Sequence, residues 1–425
     1  MKRSLFVSGG GCLSGSVRPP PSKSQTMRAI LFASLAKGNS VINNYLPSPD
    51  VDAMISACEL AGATIKKNGA SLEIFGGDFT STRGVVNCGN SGQVFRFFGA
   101  CAALSAHGVA LTGDDSIRTN RPSQPLISGI RALGGHAERL QDGSILIKGP
   151  IKPGFLSIEG ADSQPVSALL IVASQLEGIT EIEVKNPGEK PWIAMTLFWL
   201  NKMGVQVENN DFQFYRIFGR EKPLKRFSYN VPADWSSAAY PIAAALISKC
   251  ELIIDGIDMQ DVQGDRAIIP LLQEMGANFV INGEKITVKP SNLQGTTINL
   301  EKAIDAVNIL SVVACFAKGE TRLYGGAIAR KKECDRIAVM AQELTKMGAT
   351  IKEMDDGLII QGGGLHGAKL LSHRDHRVAM SLAIAALNAE GDSEIDDIVC
   401  IEKSYPNFIK DFSALGANFT AMASV

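Results

Sequence analysis

The sequence predicts an α/β protein of two globular domains, each holding three α/β repeat units with buried inner helices. Three observations carry this. A helical stretch that ends in Gly and turns into a strand recurs six times, at Gly62, Gly134, Gly204, Gly276, Gly348 and Gly416, with separations of 72, 70, 72, 72 and 68 residues. A polar loop running into a small-residue apolar helix recurs half a unit away, with starts near Ser24, Ser91, Ser163, Ser236, Asp305 and His376. The third is composition: 45% of the 425 residues are hydrophobic and 20% charged, enough to fill substantial cores and too apolar for disorder.

The first repeat reads ELAGATI, ALGGHAE, KMGVQVE, EMGANFV, KMGATIK and ALGANFT along the chain. Gly just past a helix end takes the left-handed conformation without a Cβ clash, so each copy predicts a helix stop. The helices before these glycines are amphipathic and belong on an outer face. The second repeat, from SKSQTMRAILFASLAKG through DHRVAMSLAIAALNAEG, is apolar all round, which predicts central burial. Short β-branched runs such as SLEIF, SILIKG, KITVKP and GLIIQG supply the strands. Six such units favour two globules over a solenoid, because no terminal unit has the polar face of a cap. The KPLKRFSYNVPAD stretch after the third unit is the natural hinge. It divides a domain of residues 21–230 from one of residues 231–425, and the segment 1–20 is expected to complete the latter by sheet pairing with the sixth unit.

Charge and hydropathy exclude several functions. Lys plus Arg number 42 and Asp plus Glu 43, a net charge of -1, and the cluster at Arg330, Lys331 and Lys332 is too short for a polyanion surface. No nucleic-acid partner is expected. No apolar run approaches the roughly 18 residues of a membrane helix. Lys2 and Arg3 are followed by Leu5, Phe6 and Val7 and then by Gly9, Gly10 and Gly11, so no signal-peptide core forms and a cytoplasmic location is expected. The eight cysteines, Cys12 among them, form no CxxC pair, so neither a zinc site nor a disulfide framework is predicted.

The chemistry belongs in the loops. A helix N-terminus offers free N–H groups and partial positive charge to anions. The loops bring Lys23, Ser24, Arg28, Arg96, Arg121, Ser163, Gln164, His376 and Arg377. The outer helix starts bring Lys190, Asp265, Lys332, Glu333, Arg336 and Lys403. Converging termini from both halves would line a cleft for a multiply anionic ligand. Ser91, Asp234 and Ser236 read as ordinary helix caps. The runs Arg330 to Glu333 and Asp396 to Asp397 read as solvated surface, and His107, His136, His366 and His373 as structural or exposed. Asp375-His376-Arg377 reads as functional, because a charged triplet opens a helix whose interior must be buried.

PPSKSQTMRAI, GNSGQVFRF, NRPSQPL, ADSQPVSALL, QGD, the IDA of AIDAV, KKECDRI, DHRVAM and EKSYPNF, in this order, resemble 5-enolpyruvylshikimate-3-phosphate synthases over nearly the whole chain. The resemblance implies two domains of three βαβαββ units (the enolpyruvyl transferase fold) with the active site in the interdomain cleft. It implies transfer of the enolpyruvyl group of phosphoenolpyruvate to the 5-hydroxyl of shikimate 3-phosphate, in the shikimate pathway to chorismate and aromatic amino acids, with small-molecule substrates only, no cofactor, no metal and a monomeric chain. Lys23, Gly92, Arg121, Gln164, Arg336, Arg377 and Lys403 match the phosphoenolpyruvate positions, where glyphosate competes. Lys23, Ser24, Arg28, Ser163, Gln164, Asp305 and Lys332 match the shikimate 3-phosphate positions. Lys23, Asp305, Glu333, His376 and Lys403 match the catalytic set. Asp305 suits removal of the hydroxyl proton, Glu333 delivery of a proton to the methylene carbon, the two lysines charge stabilisation and proton shuttling, and His376 orientation of the network.

The chain departs from the family pattern at Gln93, Asp162, Glu189, Trp192 and Ile328. Asp162 and Glu189 put carboxylates where the family uses serines near the sugar phosphate, an arrangement similar to a divergent bacterial branch. A UDP-N-acetylglucosamine enolpyruvyl transferase shares the fold, but Ser105 to Arg121 lacks the Cys of its reactive loop. A non-catalytic anion-binding paralogue would have no need for Asp305 and Glu333 beside a dianion.

Overall fold

The computed structural model describes residues 3–11 and 13–423, so Lys2 and Cys12 lie outside the described residues. The chain forms two compact units, Lys23–Val231 and Met1–Ser22 with Pro232–Val425. In the first, helices α1 (Lys23–Leu35), α3 (Gly99–Ala102) and α5 (Ser163–Ala173) are inner, while α2 (Pro49–Leu60), α4 (Gln124–Ala132) and α6 (Lys190–Lys202) are outer. In the second, α7 (Trp235–Ile247), α9 (Val307–Phe316) and α11 (His376–Leu387) are inner, while α8 (Ile268–Glu274), α10 (Arg336–Lys346) and α12 (Phe408–Ala414) are outer.

Every residue of α7 and α11 is buried, as all-round apolar surface demands. The six repeat glycines all have positive φ, between 76 and 105°, so a Cβ at any of them would strain the turn that ends its outer helix.

Among the described residues six four-stranded sheets are wound alike, three in each unit. In the third, Phe155–Glu159 runs parallel to Ile179–Lys185, which pairs antiparallel with Phe214–Phe218, which pairs antiparallel with the edge strand Val207–Asn210. Three sheets borrow a strand from far along the chain. Ser228–Asn230 supplies the parallel strand of the first sheet and Ser16–Val17 that of the fourth. Arg3–Ser8 lies between Asp392–Ile395 and Phe419–Ala423 in the sixth.

The inner helix of the second unit, NSGQVFRFFGACAALSAHG, departs from the continuous helix that its apolar sequence predicts. Val94–Phe98 forms a wide π-helical turn before α3, and Ser116–Asn120 forms another just before Arg121. Such turns insert a residue into the helical ladder and favour functional positions. The first carries Arg96, which is buried with its guanidinium carbon 5.6 Å from the centre of the Phe95 ring.

Among the described residues no helix is long and apolar enough to cross a membrane, and no group of three His, Cys, Asp or Glu is placed to hold a metal ion. The seven described cysteines are free, and burial pushes the Cys58, Cys88 and Cys315 thiols up to about 12.

Candidate active site

The functional side chains sit where the loops enter the helices. Lys23 opens α1, and its Nζ lies 3.4 Å from Oδ2 of Asp50 on α2. Ser24 accepts a hydrogen bond from Gln93 Nε2 at 3.3 Å, tying the first loop to the second. Arg28, one turn further along α1, is fully buried on neutral oxygens. It donates to Thr196 Oγ1 at 3.0 Å and to the Ser24 and Trp192 carbonyls at 3.2 Å each, and its guanidinium carbon stands 4.8 Å from the centre of the Phe97 ring. Burial alone lowers its pKa to about 9.

Gly92 is a close-approach glycine. A Cβ there would lie 2.4 Å from Arg121 Nη1, 2.9 Å from Gln164 Oε1 and 3.0 Å from Arg96 Nη1. Three polar side chains therefore converge on its backbone. Arg121 also donates to the carbonyl and side-chain oxygens of Asn90, at 3.2 and 3.3 Å. Arg96 donates to the Pro122 carbonyl at 2.8 Å and pairs with Asp162 at 3.1 Å.

The start of α5 is occupied by the chain's own carboxylates. Asp162 accepts from the Gln164 amide at 3.0 Å, the usual N-cap bond. Glu189, itself buried and left-handed with φ 46°, accepts from both the amide and the hydroxyl of Ser163, at 3.0 and 3.1 Å.

The other unit holds a dense charged network. Asp305 lies on a short turn before α9, Arg336 begins α10, and Asp375 caps α11. Arg336 reaches three carboxylates, donating to Asp305 Oδ1, Glu333 Oε2 and Asp375 Oδ2 at 2.8 Å each. Arg377 donates to the other Asp305 oxygen at 3.0 Å and to Ser236 Oγ at 3.2 Å. Lys403 Nζ lies 2.7 Å from Glu333 Oε1, and only 8% of either side chain is exposed. His376 is buried, with Nδ1 3.7 Å from Asp375 Oδ1.

The electrostatics follow from this packing. Burial would raise Asp305, but Arg377, Arg336 and Lys332 outweigh it and hold the carboxyl below its ordinary range. Burial would lower Arg336, and Asp375, Glu333 and Asp305 outweigh that. Asp265 goes the other way: burial and the neighbouring Asp305 push it up to about 7. It is hydrogen-bonded to Ser236.

Each sequence-derived site residue thus falls in one of two groups. Lys23, Ser24, Arg28, Gly92, Arg121, Ser163 and Gln164 lie in the Lys23–Val231 unit. Asp305, Lys332, Glu333, Arg336, His376, Arg377 and Lys403 lie in the other. Three sequence readings need correction. Ser236 does more than start a helix, since its hydroxyl joins Asp265 to Arg377. Glu333 is buried in ion pairs rather than solvated, and Asp396 accepts from the Ser372 amide at 2.6 Å. Sequence reasoning missed Asp50 beside Lys23 and the Thr196 and Trp192 oxygens on Arg28. Asp375 was read as functional with His376 and Arg377, but not as the partner of Arg336.

Two units of three alike sheets, with cations and carboxylates gathered where loops meet helices, define an α/β protein of the enolpyruvyl transferase kind. An enolpyruvyl transferase from Streptomyces tendae aligns over 100% of both chains with a TM-score of 0.79 at 18% identity, a likeness of fold. The chain belongs to the EPSP synthase (3-phosphoshikimate 1-carboxyvinyltransferase) family, whose profile matches residues 7–412. A 3-phosphoshikimate 1-carboxyvinyltransferase from Chlamydia caviae is 42% identical over 96% of this chain and 92% of its own length. One from Acetivibrio thermocellus is 40% identical over 96% and 97%. The structure of an EPSP synthase from Acinetobacter baumannii covers 100% of both chains with a TM-score of 0.83 at 26% identity.

Proposed function

We propose that this protein transfers the enolpyruvyl group of phosphoenolpyruvate to the 5-hydroxyl of shikimate 3-phosphate with release of phosphate. Family membership supports the reaction, and one observation carries the chemistry: buried acids, Asp305 and Glu333, each held directly against cations that matter for an anionic substrate.

Asp305 is the proton acceptor in this reading when the 5-hydroxyl oxygen bonds to C2 of phosphoenolpyruvate; the guanidiniums keep it ionised and weaken it as a base, so its role draws on their turning to the substrate. A proton goes to the methylene carbon in the same addition, and the Glu333–Lys403 pair is the donor in this reading. Loss of that proton and of the phosphate from the tetrahedral ketal restores the double bond. Arg121 and Arg377 suit the carboxylate and phosphate of phosphoenolpyruvate, because a guanidinium fork matches both. Arg336 reaches the substrate only by giving up a bond to Glu333 or Asp305, since three carboxylates share it. Lys23, Ser24, Arg28, Ser163, Gln164 and Lys332 hold shikimate 3-phosphate, and His376 orients the network from Asp375. No metal or organic cofactor enters this scheme. The reading further takes the protein as a cytoplasmic monomer without a nucleic-acid partner.

Asp162 and Glu189 favour a second reading of the acceptor. They occupy the Gln164 and Ser163 amides, so an acceptor phosphate at that helix start has to displace Glu189. One coupled assay tests both readings. Phosphate release from phosphoenolpyruvate should depend on shikimate 3-phosphate, without added metal. Equal turnover with UDP-N-acetylglucosamine, or none with shikimate 3-phosphate, sinks the first reading. For the residue roles, Asp305→Asn and Glu333→Gln should each lower kcat by roughly 10²-fold or more while substrate binding survives. Full activity in either stable variant removes that residue from the mechanism.

A further inference from the structure

Helix α10 carries, two turns beyond Arg336, a carboxylate that the proposed chemistry does not use. The Glu343 side chain is fully buried, and a buried carboxylate has to be held by donors. Its Oε2 accepts from the Leu371 amide at 3.0 Å, its Oε1 faces His373 Nε2 at 2.9 Å, and Lys346 Nζ reaches both oxygens at 2.7 Å. Burial would raise this carboxyl, but His373, Lys346 and the Leu371 amide outweigh it and hold it below the usual range.

Leu371 and His373 belong to the short segment that joins the strand Lys369–Leu370 to α11. His373 and Arg374 are both left-handed, with φ 51 and 56°. Two consecutive non-glycine residues persist there only where their surroundings fix them. Ser372 adds a further fixture, donating its amide to Asp396 Oδ1 at 2.6 Å and accepting from the Arg374 amide at 3.3 Å. The segment ends on Asp375, which takes Arg336 Nε and the Arg377 amide at 2.8 Å each. Arg336 and Glu343 stand seven residues apart on α10 and so share a face. They grip the two ends of one strained segment.

We propose that Glu343 is a positioning residue for the reaction. By holding Leu371 and His373 it fixes Asp375, and through Asp375 the direction of the Arg336 guanidinium and the start of α11 with His376 and Arg377. The kinetic part of the test rests on the enolpyruvyl-transfer reading, and the spectroscopic part does not.

His373→Asn keeps a residue type that tolerates left-handed backbone but is too short to reach Glu343. His373→Gln restores an amide donor of nearly the imidazole's reach. His373→Asn should lower kcat/KM for phosphoenolpyruvate about tenfold through misaimed guanidiniums, and His373→Gln should recover most of it. In protein with isotopically labelled arginine, the Nε–H signal of Arg336, assigned by its loss in Arg336→Lys, should shift in His373→Asn and return in His373→Gln. An unshifted Arg336 signal with unchanged kcat/KM overturns the proposal, whether or not the melting temperature falls. Unmodified protein without turnover, but with the signal shifted and restored as stated, removes the enolpyruvyl-transfer reading and leaves the clamp standing.

Discussion

Arg28 and Arg336 are both fully buried arginines, one in each unit, and their surroundings are opposite. Arg336 is shared by Asp305, Glu333 and Asp375 and is held firmly charged. Arg28 has only a hydroxyl, two carbonyls and an aromatic face, and burial lowers it to about 9. Desolvation acts on both, so the partners decide the difference. A guanidinium whose charge is more than matched by its own chain organises carboxylates. One whose charge is unmatched invites an anion. In the reading proposed above, Arg28 serves binding and Arg336 arranges the acids and cations of proton transfer.

The sharpest way to break that comparison is to delete each guanidinium at constant bulk. Arg336→Met takes the guanidinium from Asp375 and from Asp305 and Glu333, which keep Arg377 and Lys403, and should cost about 3–5 kcal/mol, as removing one partner of a buried charge pair does. Arg28→Met strands only neutral oxygens and should cost about 1–2 kcal/mol. Equal losses of melting temperature in the two variants would show that the partners do not set the stability of these sites.

A smaller effect tests the binding side alone. Gly92→Ala pushes a methyl against Arg121, Gln164 and Arg96, all of them ends of flexible side chains. The fold should survive with little change in melting temperature. The KM for phosphoenolpyruvate should rise about tenfold, equivalent to ~1.4 kcal/mol, and inhibition by glyphosate should weaken. Unchanged kinetics would remove Gly92 from the pocket.

A pH dependence tests the unit that holds Arg336. The Asp265 carboxyl is raised to about 7 in the folded protein from an ordinary value of 3.8. Between these values the unfolded chain has lost the proton that the folded chain keeps, so this group's stability contribution falls as pH rises from 4 to 7. Asp305 is depressed instead, and its contribution is present above pH 4 and lost only on further acidification. Asp265→Asn should therefore gain in melting temperature relative to the unmodified protein as pH rises from 4 to 7, and then level off. A difference independent of pH would show that Asp265 is ionised in the fold.

Much of the architecture was legible in the sequence, for local reasons. The six glycines stand at the ends of outer helices because only a local steric rule is involved. The inner helices are buried because apolar residues all round leave no face for water. The borrowed strands were not all legible. Ser16–Val17 and Ser228–Asn230 are two and three residues long and carry too few side chains for a period. The wide turn at Val94–Phe98 was hidden for a related reason, since an apolar stretch that is buried on every side looks the same with or without an inserted residue; at Ser116–Asn120 only Ile117 is buried, too little for a period. Ser236 was misread as a cap because its partner Asp265 lies 29 residues away.

By itself the sequence determined the number of units, the helices that face inward and the loops that carry the polar chemistry. These depend on the direction of side chains along a local helix or strand, which a few residues suffice to define. Tertiary structure alone decided which charges meet. Arg336 finds Asp305 across 31 positions and Asp375 across 39, and Arg377 finds Asp305 across 72. It also decided their protonation, because desolvation and neighbouring charge act through space: the same burial leaves Asp305 ionised beside two guanidiniums and raises Asp265 next to Asp305.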